Sequence, residues 1–283
     1  MKIDSHQHFW KYDAVRHPWI TDRMSALKRD FMPNELDGER AAHGIDATIL
    51  VQVDQSENET LFLLELADRH PSIGAVVGWV DLRSPRIEDR LRHFSQFEKL
   101  RGFRHIAEVE SERFLVRDDF CRGIACLRQF GFIYEILIYP KQLQAALELV
   151  TRFPDQPFVI DHMAKPEVRT KNIAGWTAVM REIAKNPNVY CKVSGLVTEA
   201  DWDHWKKEDF RPYLDVVLDA FGTERLMFGS DWPVCTLAAS YQQVLEIIEE
   251  YVREYPADVK GKIFGGNAAH FYRLKLAQHG FAA

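Results

Sequence analysis

Eight short apolar runs, separated by segments of helical period, constrain this chain more than any other feature. The runs are 2–9, 47–54, 74–82, 100–106, 132–139, 158–165, 189–196 and 226–234. Between them the apolar spacing changes. Ile87, Leu91 and Phe94 recur at i, i+4, i+7. Leu143, Ala146, Leu147 and Val150 recur at i, i+3, i+4, i+7, as do Leu214, Val217, Leu218 and Phe221, and Val244, Ile247, Ile248 and Tyr251. Strand alternating with amphipathic helix implies a parallel sheet, because a crossover is needed to begin each parallel neighbour. Eight such units in 283 residues, with no break in composition, predict one α/β domain: a (β/α)₈ TIM barrel over 1–283. A doubly wound open sheet is the alternative. No Gly-rich phosphate loop follows the first run, which weighs against its nucleotide-binding version.

Composition narrows the partners. Hydrophobic residues make up 46% and charged residues 28%, as in an ordinary globular protein. A net charge of −6 argues against nucleic acid and against an anionic membrane surface. Cys121, Cys126, Cys191 and Cys235 form no C-x-x-C pair, which suggests reduced thiols. No signal core or membrane-length run is visible, so the cytoplasm is the expected location. The stretch 11–36, with Pro18, Trp19, Arg29 and Pro33, is long for a connection. After the first strand of a barrel, such a loop is expected to lie over the active face as a partial lid.

Catalytic groups of this fold come from the C-terminal strand ends. His6 and His8 are spaced i, i+2 at the end of the first run and share a strand face. Asp231, with Trp232 next, ends the eighth. Between them come Asp54, Trp79 and Asp81, Arg104 and His105, Glu135 and Tyr139, Asp161 and His162, and Lys192. Ionisable groups at nearly every strand end are costly to bury without a purpose. Asp231, His162 and His105 are the catalytic candidates. Arg104, Trp79, Lys192 and Trp232 are the candidates for holding substrate. Arg104 and His105 are adjacent, so only one of them faces the pocket. Lys192 has a second reading, as a structural partner of Asp161 or Glu135. Asp161 and Asp81 are expected to bond backbone amides at the rim. His17, His43, His70 and His93 are assigned to surface or packing.

Five blocks carry a family resemblance over essentially the whole chain. They are 4-DSHQHFW-10, 102-GFRH-105, 159-VIDHMAKP-166, 192-KVSGL-196 and 228-FGSDWP-233. They resemble the amidohydrolase superfamily and, more narrowly, its sugar-lactonase branch of L-fuconolactonase-like, L-rhamnonolactonase-like and pyrone-dicarboxylate-lactonase-like hydrolases. Binuclear members carry a carboxylated lysine after strand four and a histidine after strand five. Here strand four ends in Arg104-His105, and strand five offers no histidine. The resemblance therefore implies either one divalent ion on His6, His8 and Asp231, joined by Glu135 or His162, or no obligatory metal. Mixed imidazole and carboxylate ligands with an open position suit Zn²⁺.

The expected reaction is opening of a sugar-acid lactone, with Asp231 as general base and then proton donor. His6 and His8, with or without metal, would stabilise the oxyanion. His162 would orient carbonyl or water, and Arg104 or His105 would hold substrate oxygens. The expected partner is a small sugar lactone, and a homo-oligomer stays open. A pyrone dicarboxylate would call for several arginines at the mouth, where the strand ends show few. Amide hydrolysis or decarboxylation on the same scaffold is a further reading, although such decarboxylases are expected to use the missing strand-five histidine. A barrel that binds a small ligand without turnover fits least, since it need not keep both a base and an electrophilic cluster.

Overall fold

The structure is a computed structural model and describes residues 1–275. Eight parallel strands pair in sequence order. They are β1 (Ile3–Gln7), β2 (Ala47–Val51), β3 (Ile73–Gly78), β4 (Leu100–Ile106), β5 (Ile133–Leu137), β6 (Phe158–Ile160), β7 (Val189–Val193) and β8 (Leu226–Phe228). Just past the strands, β1 meets β8. The His8 amide donates to the Trp232 carbonyl at 2.8 Å, and the Asp231 amide to the His6 carbonyl at 2.8 Å. Asp4 reinforces the seam by accepting from the Ser230 amide at 2.8 Å and the Ser230 hydroxyl at 2.5 Å. The sheet is a (β/α)₈ barrel, as the eight runs predicted.

The strands are buried on both faces, as parallel strands under helices must be. Ile3, Ile49, Val51, Val77, Ile133, Val159 and Met227 fill the lower interior, and Tyr272 packs with them. The other face of each strand joins the helices α1 (Pro33–His43), α2 (Glu57–Arg69), α3 (Ile87–Phe94), α4 (Asp118–Leu127), α5 (Leu143–Arg152), α6 (Ala174–Ala184), α7 (Lys207–Phe221) and α8 (Tyr241–Tyr251). Local signals start these helices where sequence places them. The Ser240 hydroxyl accepts from the Gln243 amide at the head of α8, and Ser56 does the same for Glu59 in α2. Such a cap contributes about 1 kcal/mol.

Two boundaries differ from expectation. Seven of the eight runs outlast their strands, most of all the sixth and eighth. There the backbone turns left-handed: φ is 50°, 52°, 59° and 47° at His162, Met163, Ala164 and Lys165, and 60° at Asp231. The long stretch after β1 ends sooner than read, because α1 begins at Pro33 and includes the last four residues of 11–36. Among the described residues no helix is long and apolar enough to cross a membrane. All four cysteines are free and buried. The expected domain also includes residues 276–283, which lie outside the described part.

Candidate active site

Above the apolar layer the barrel interior turns polar. Arg104 on β4, Glu135 on β5, Asp161 after β6 and Lys192 on β7 all point inward and are buried. Lys192 Nζ lies 2.7 Å from Glu135 Oε1 and 3.1 Å from Asp161 Oδ1. Arg104 Nη1 lies 3.0 Å from Asp161 Oδ2, and Nη2 donates to the Gln52 carbonyl. Tyr272 donates its hydroxyl to Glu135 at 2.5 Å. Asp161 is thus not a rim residue bonding amides. It is the central anion between two cations. Burial pushes its carboxyl up, but Lys192, His6 and Arg104 outweigh that and hold it well below the usual range. Asp81 does bond a backbone amide, that of Arg83, at 3.1 Å.

His6 rests on this layer. Its Nδ1 is 3.1 Å from Lys192 Nζ and 3.5 Å from Asp161 Oδ1. Its Nε2 is 3.2 Å from both His8 Nε2 and Arg104 Nη1. His8 Nδ1 lies 2.7 Å from the Val51 carbonyl, which can only accept, so Nδ1 carries the proton and Nε2 presents a lone pair. That lone pair is 3.3 Å from Asp231 Oδ1. His162 completes the group, with Nδ1 2.9 Å from the Ser194 hydroxyl and Nε2 3.8 Å from Asp231 Oδ1. Burial lowers the pKa of all three imidazoles, so they are neutral at pH 7. Burial pushes the Asp231 carboxyl up, but the surrounding groups, His162 and His8 first and the Lys165 ammonium with them, outweigh it and hold the carboxyl below its usual value.

This donor set fits one divalent cation. The ligand atoms of His6, His8 and Asp231 lie within 4.8 Å of one another. Bonds of about 2.0–2.1 Å in a tetrahedron put ligand atoms about 3.3 Å apart, close to the 3.2 and 3.3 Å of His8 to His6 and Asp231. The His8 lone pair facing a carboxylate also calls for a shared positive charge. Lys192 Nζ and Arg104 Nη1, which can only donate, face the two nitrogens of His6, so cationic groups already stand beside the cluster.

Over this cluster opens a cavity of about 440 Å³, within the range of small-molecule sites. His8, Arg104, His162 and Asp231 line it, together with Trp19 and Met24 from the long loop after β1. Several predicted residues do not. His105 points outward, as the neighbour of an inward Arg104 must. Its ring stacks on Phe114 at 4.6 Å, and Nε2 lies 3.1 Å from Glu110. The structure places it in packing, away from the cavity lining. Trp79 follows it, with its indole 3.4 Å from His105. Trp232 is buried edge-on against Phe9 and Phe31. Lys192 holds the layer beneath and does not reach the cavity. Glu108, Lys165, Glu199 and Trp202 line the cavity in their place. Glu108 and Glu199 were missed; both sit on single 3₁₀ turns, Glu108 directly after β4 and Glu199 a few residues after β7, and that position was the available signal.

Residues 3–274 match the amidohydrolase family model. The chain belongs to the amidohydrolase family. This amidohydrolase is 43% identical over 286 residues to an L-fucono-1,5-lactonase of Burkholderia multivorans, covering 97% of this chain and 96% of that one. It is 35% identical over 278 residues to an L-fucono-1,5-lactonase of Burkholderia ambifaria, covering 96% of each. A solved amidohydrolase from Burkholderia multivorans with bound zinc superposes at a TM-score of 0.94, with 42% identity over 97% of this chain and 99% of that one.

One glycine in this amidohydrolase fixes the site by what it leaves out. Gly195 has φ +65°, and a Cβ there would lie 2.6 Å from His162 Nδ1. Gly195→Ala is expected to push the imidazole aside. Displacements of about 1 Å cost roughly 10²-fold in rate. A kcat within twofold of the parent would show that the placement of His162 does not matter.

Proposed function

We propose that this amidohydrolase hydrolyses the ester bond of a sugar-acid lactone, with an L-fuconolactone-like ring as the best substrate. One observation carries the reading: an ionised carboxylate, Asp231, at the cavity floor among three neutral imidazoles and a guanidinium. Curated relatives of the same function, over nearly the full chain, support it.

Asp231 takes the proton of the attacking water, and the imidazoles of His8 and His162 orient that water toward the carbonyl. Charge growing on the carbonyl oxygen is met by Arg104, whose guanidinium is fixed by Asp161 and Gln52 before substrate arrives. Donors held in this way contribute roughly 3–4 kcal/mol to barrier reduction. Asp231 returns the proton to the departing ring oxygen. A bound divalent ion on His6, His8 and Asp231 would add Lewis acidity at the same spot.

The cavity wall mixes apolar and charged groups, with Ile106, Val109 and Leu137 interleaved among the charged ones. Trp19, Met24, Val53, Val234 and Leu237, from the loops after β8, β1 and β2, are apolar. The charged side chains Glu108, Lys165 and Glu199 follow β4, β6 and β7. A 6-deoxy sugar lactone carries a methyl group and hydroxyls on different edges and suits such a wall. A dicarboxylate suits it less, because two carboxylates already stand there. Four buried free cysteines support the view that the enzyme works in the reducing cytoplasm.

A panel of aldonolactones, followed by acid release with a pH indicator, tests the reading. It should be run on metal-depleted and on zinc-supplemented protein. Lactones with an exocyclic methyl are expected to exceed their hydroxymethyl counterparts by about tenfold in kcat/KM, the effect of one unpaired hydroxyl on an apolar wall. No turnover of any lactone in either metal state rejects the proposal.

A further inference from the structure

The charged side of the cavity lies within electrostatic reach of Asp231, whose carboxyl Lys165 helps hold low, and it is closely built. Lys165 Nζ lies 2.5 Å from Glu108 Oε2 and 4.9 Å from the centre of the Tyr139 ring. Lys165 reaches them from the last of four consecutive left-handed residues, beginning at His162. Each such residue costs about 1–2 kcal/mol outside glycine. Backbone strain of this kind persists where the surroundings enforce it, commonly at ligand sites. The turn brings His162 and Lys165 to one cavity. Glu199 is the third member. Among the described residues no hydrogen bond or ion pair engages its carboxylate, although burial pushes its pKa up to about 7. An ion pair serving the fold alone would account for Lys165 and Glu108. Glu199 stands near Lys165 and feels its charge, but with no hydrogen bond or ion pair among the described residues its two oxygens remain to accept from a ligand.

We propose that Glu108, Lys165 and Glu199 form the subsite that reads the ring hydroxyls of the lactone. Glu199 accepts from the two hydroxyls of a vicinal diol through its two oxygens, and Lys165, held by Glu108, donates to a hydroxyl oxygen. A carboxylate offers two acceptors side by side, and an ammonium offers three donors and no acceptor, which together complement a diol. This inference rests on the lactone-hydrolase reading and names the residues that select its substrate. They are specificity residues and take no part in bond breaking.

The test compares kcat/KM for an aldono-1,4-lactone with that for its 2-deoxy counterpart, which lacks the diol. The parent is expected to prefer the full lactone. At about pH 8, where Glu199 is ionised, that preference should fall by about tenfold in Glu199→Gln, the value of a hydrogen bond to a charged group, with KM carrying most of the change. Among the described residues Glu199 has no hydrogen-bonded or ion-paired partner to lose, so this variant is expected to keep the fold; Glu108→Gln provides a second probe through Lys165. If both variants keep the parent's preference within twofold, while the parent turns over the full lactone, the subsite is wrong and the lactonase reading stands. If the parent turns over neither lactone, both fall together.

Discussion

Asp231→Asn is expected to lower kcat on the best lactone by about 10³-fold, the middle of the range for a lost general base. That corresponds to about 4 kcal/mol of transition-state stabilisation. The amide keeps the shape of the side chain, and the Asp231 backbone bond to the His6 carbonyl is untouched. Thermal unfolding should therefore stay near that of the parent. The variant should also bind zinc more weakly, because an amide is a poorer ligand than a carboxylate. Since His162 and His8 hold the acid below the ordinary carboxylate range, the parent should keep its rate down to mildly acidic pH. A variant within tenfold of the parent rate would remove Asp231 from the base role.

Lys192→Met is expected to be the most damaging change to stability, although Lys192 never touches the cavity. It leaves Glu135 and Asp161 buried with one guanidinium between them. Breaking a buried pair from one side costs about 3–5 kcal/mol. The deficit should depend on pH with a definite sign. Burial and the charge of Asp161 raise the Glu135 carboxyl from 4.5 to about 7, even with Lys192 beside it. Stability from that proton is complete below the unfolded value and disappears as pH rises through the folded one. Without Lys192 the folded value climbs further. The deficit against the parent should thus be smallest near about pH 5 and largest near about pH 8, and Glu135→Gln in the same chain should recover part of it. Chemical denaturation at the two pH values decides. An equal deficit at both would mean that Lys192 acts by packing alone.

The barrel was legible because continuous apolar runs alternate with segments of helical period along the chain, and patterning of this kind is local. His6, His8, His162 and Asp231 were legible because their spacing and strand-end positions repeat across distant segments. Three things were not. Strand ends were overrun, since the left-handed turns at His162–Lys165 and at Asp231 begin in apolar sequence with nothing to mark them. The facing of Arg104 against His105 needed the barrel interior. Only when Phe114 and Phe120 arrive from the next connection does His105 gain an outward slot. The Trp residues misled in the same way: Trp79 and Trp232 adjoin the rim in sequence but turn into packing, while Trp19 and Trp202 reach the cavity from loops. Lys192 had two readings, and its contacts with Glu135 and Asp161 match the structural one.

The join between β1 and β8 has a consequence beyond architecture. Asp4 and Ser230 are 226 positions apart, and a few bonds near them bring His6, His8 and Asp231 within reach of one another. The two ends of the polypeptide jointly own the reacting carboxylate. Chemistry is therefore available only to a ring that has shut: seven intact ladders with the eighth contact parted would still be a folded sheet, but an idle one. The molecule carries its own certificate of closure, written in turnover.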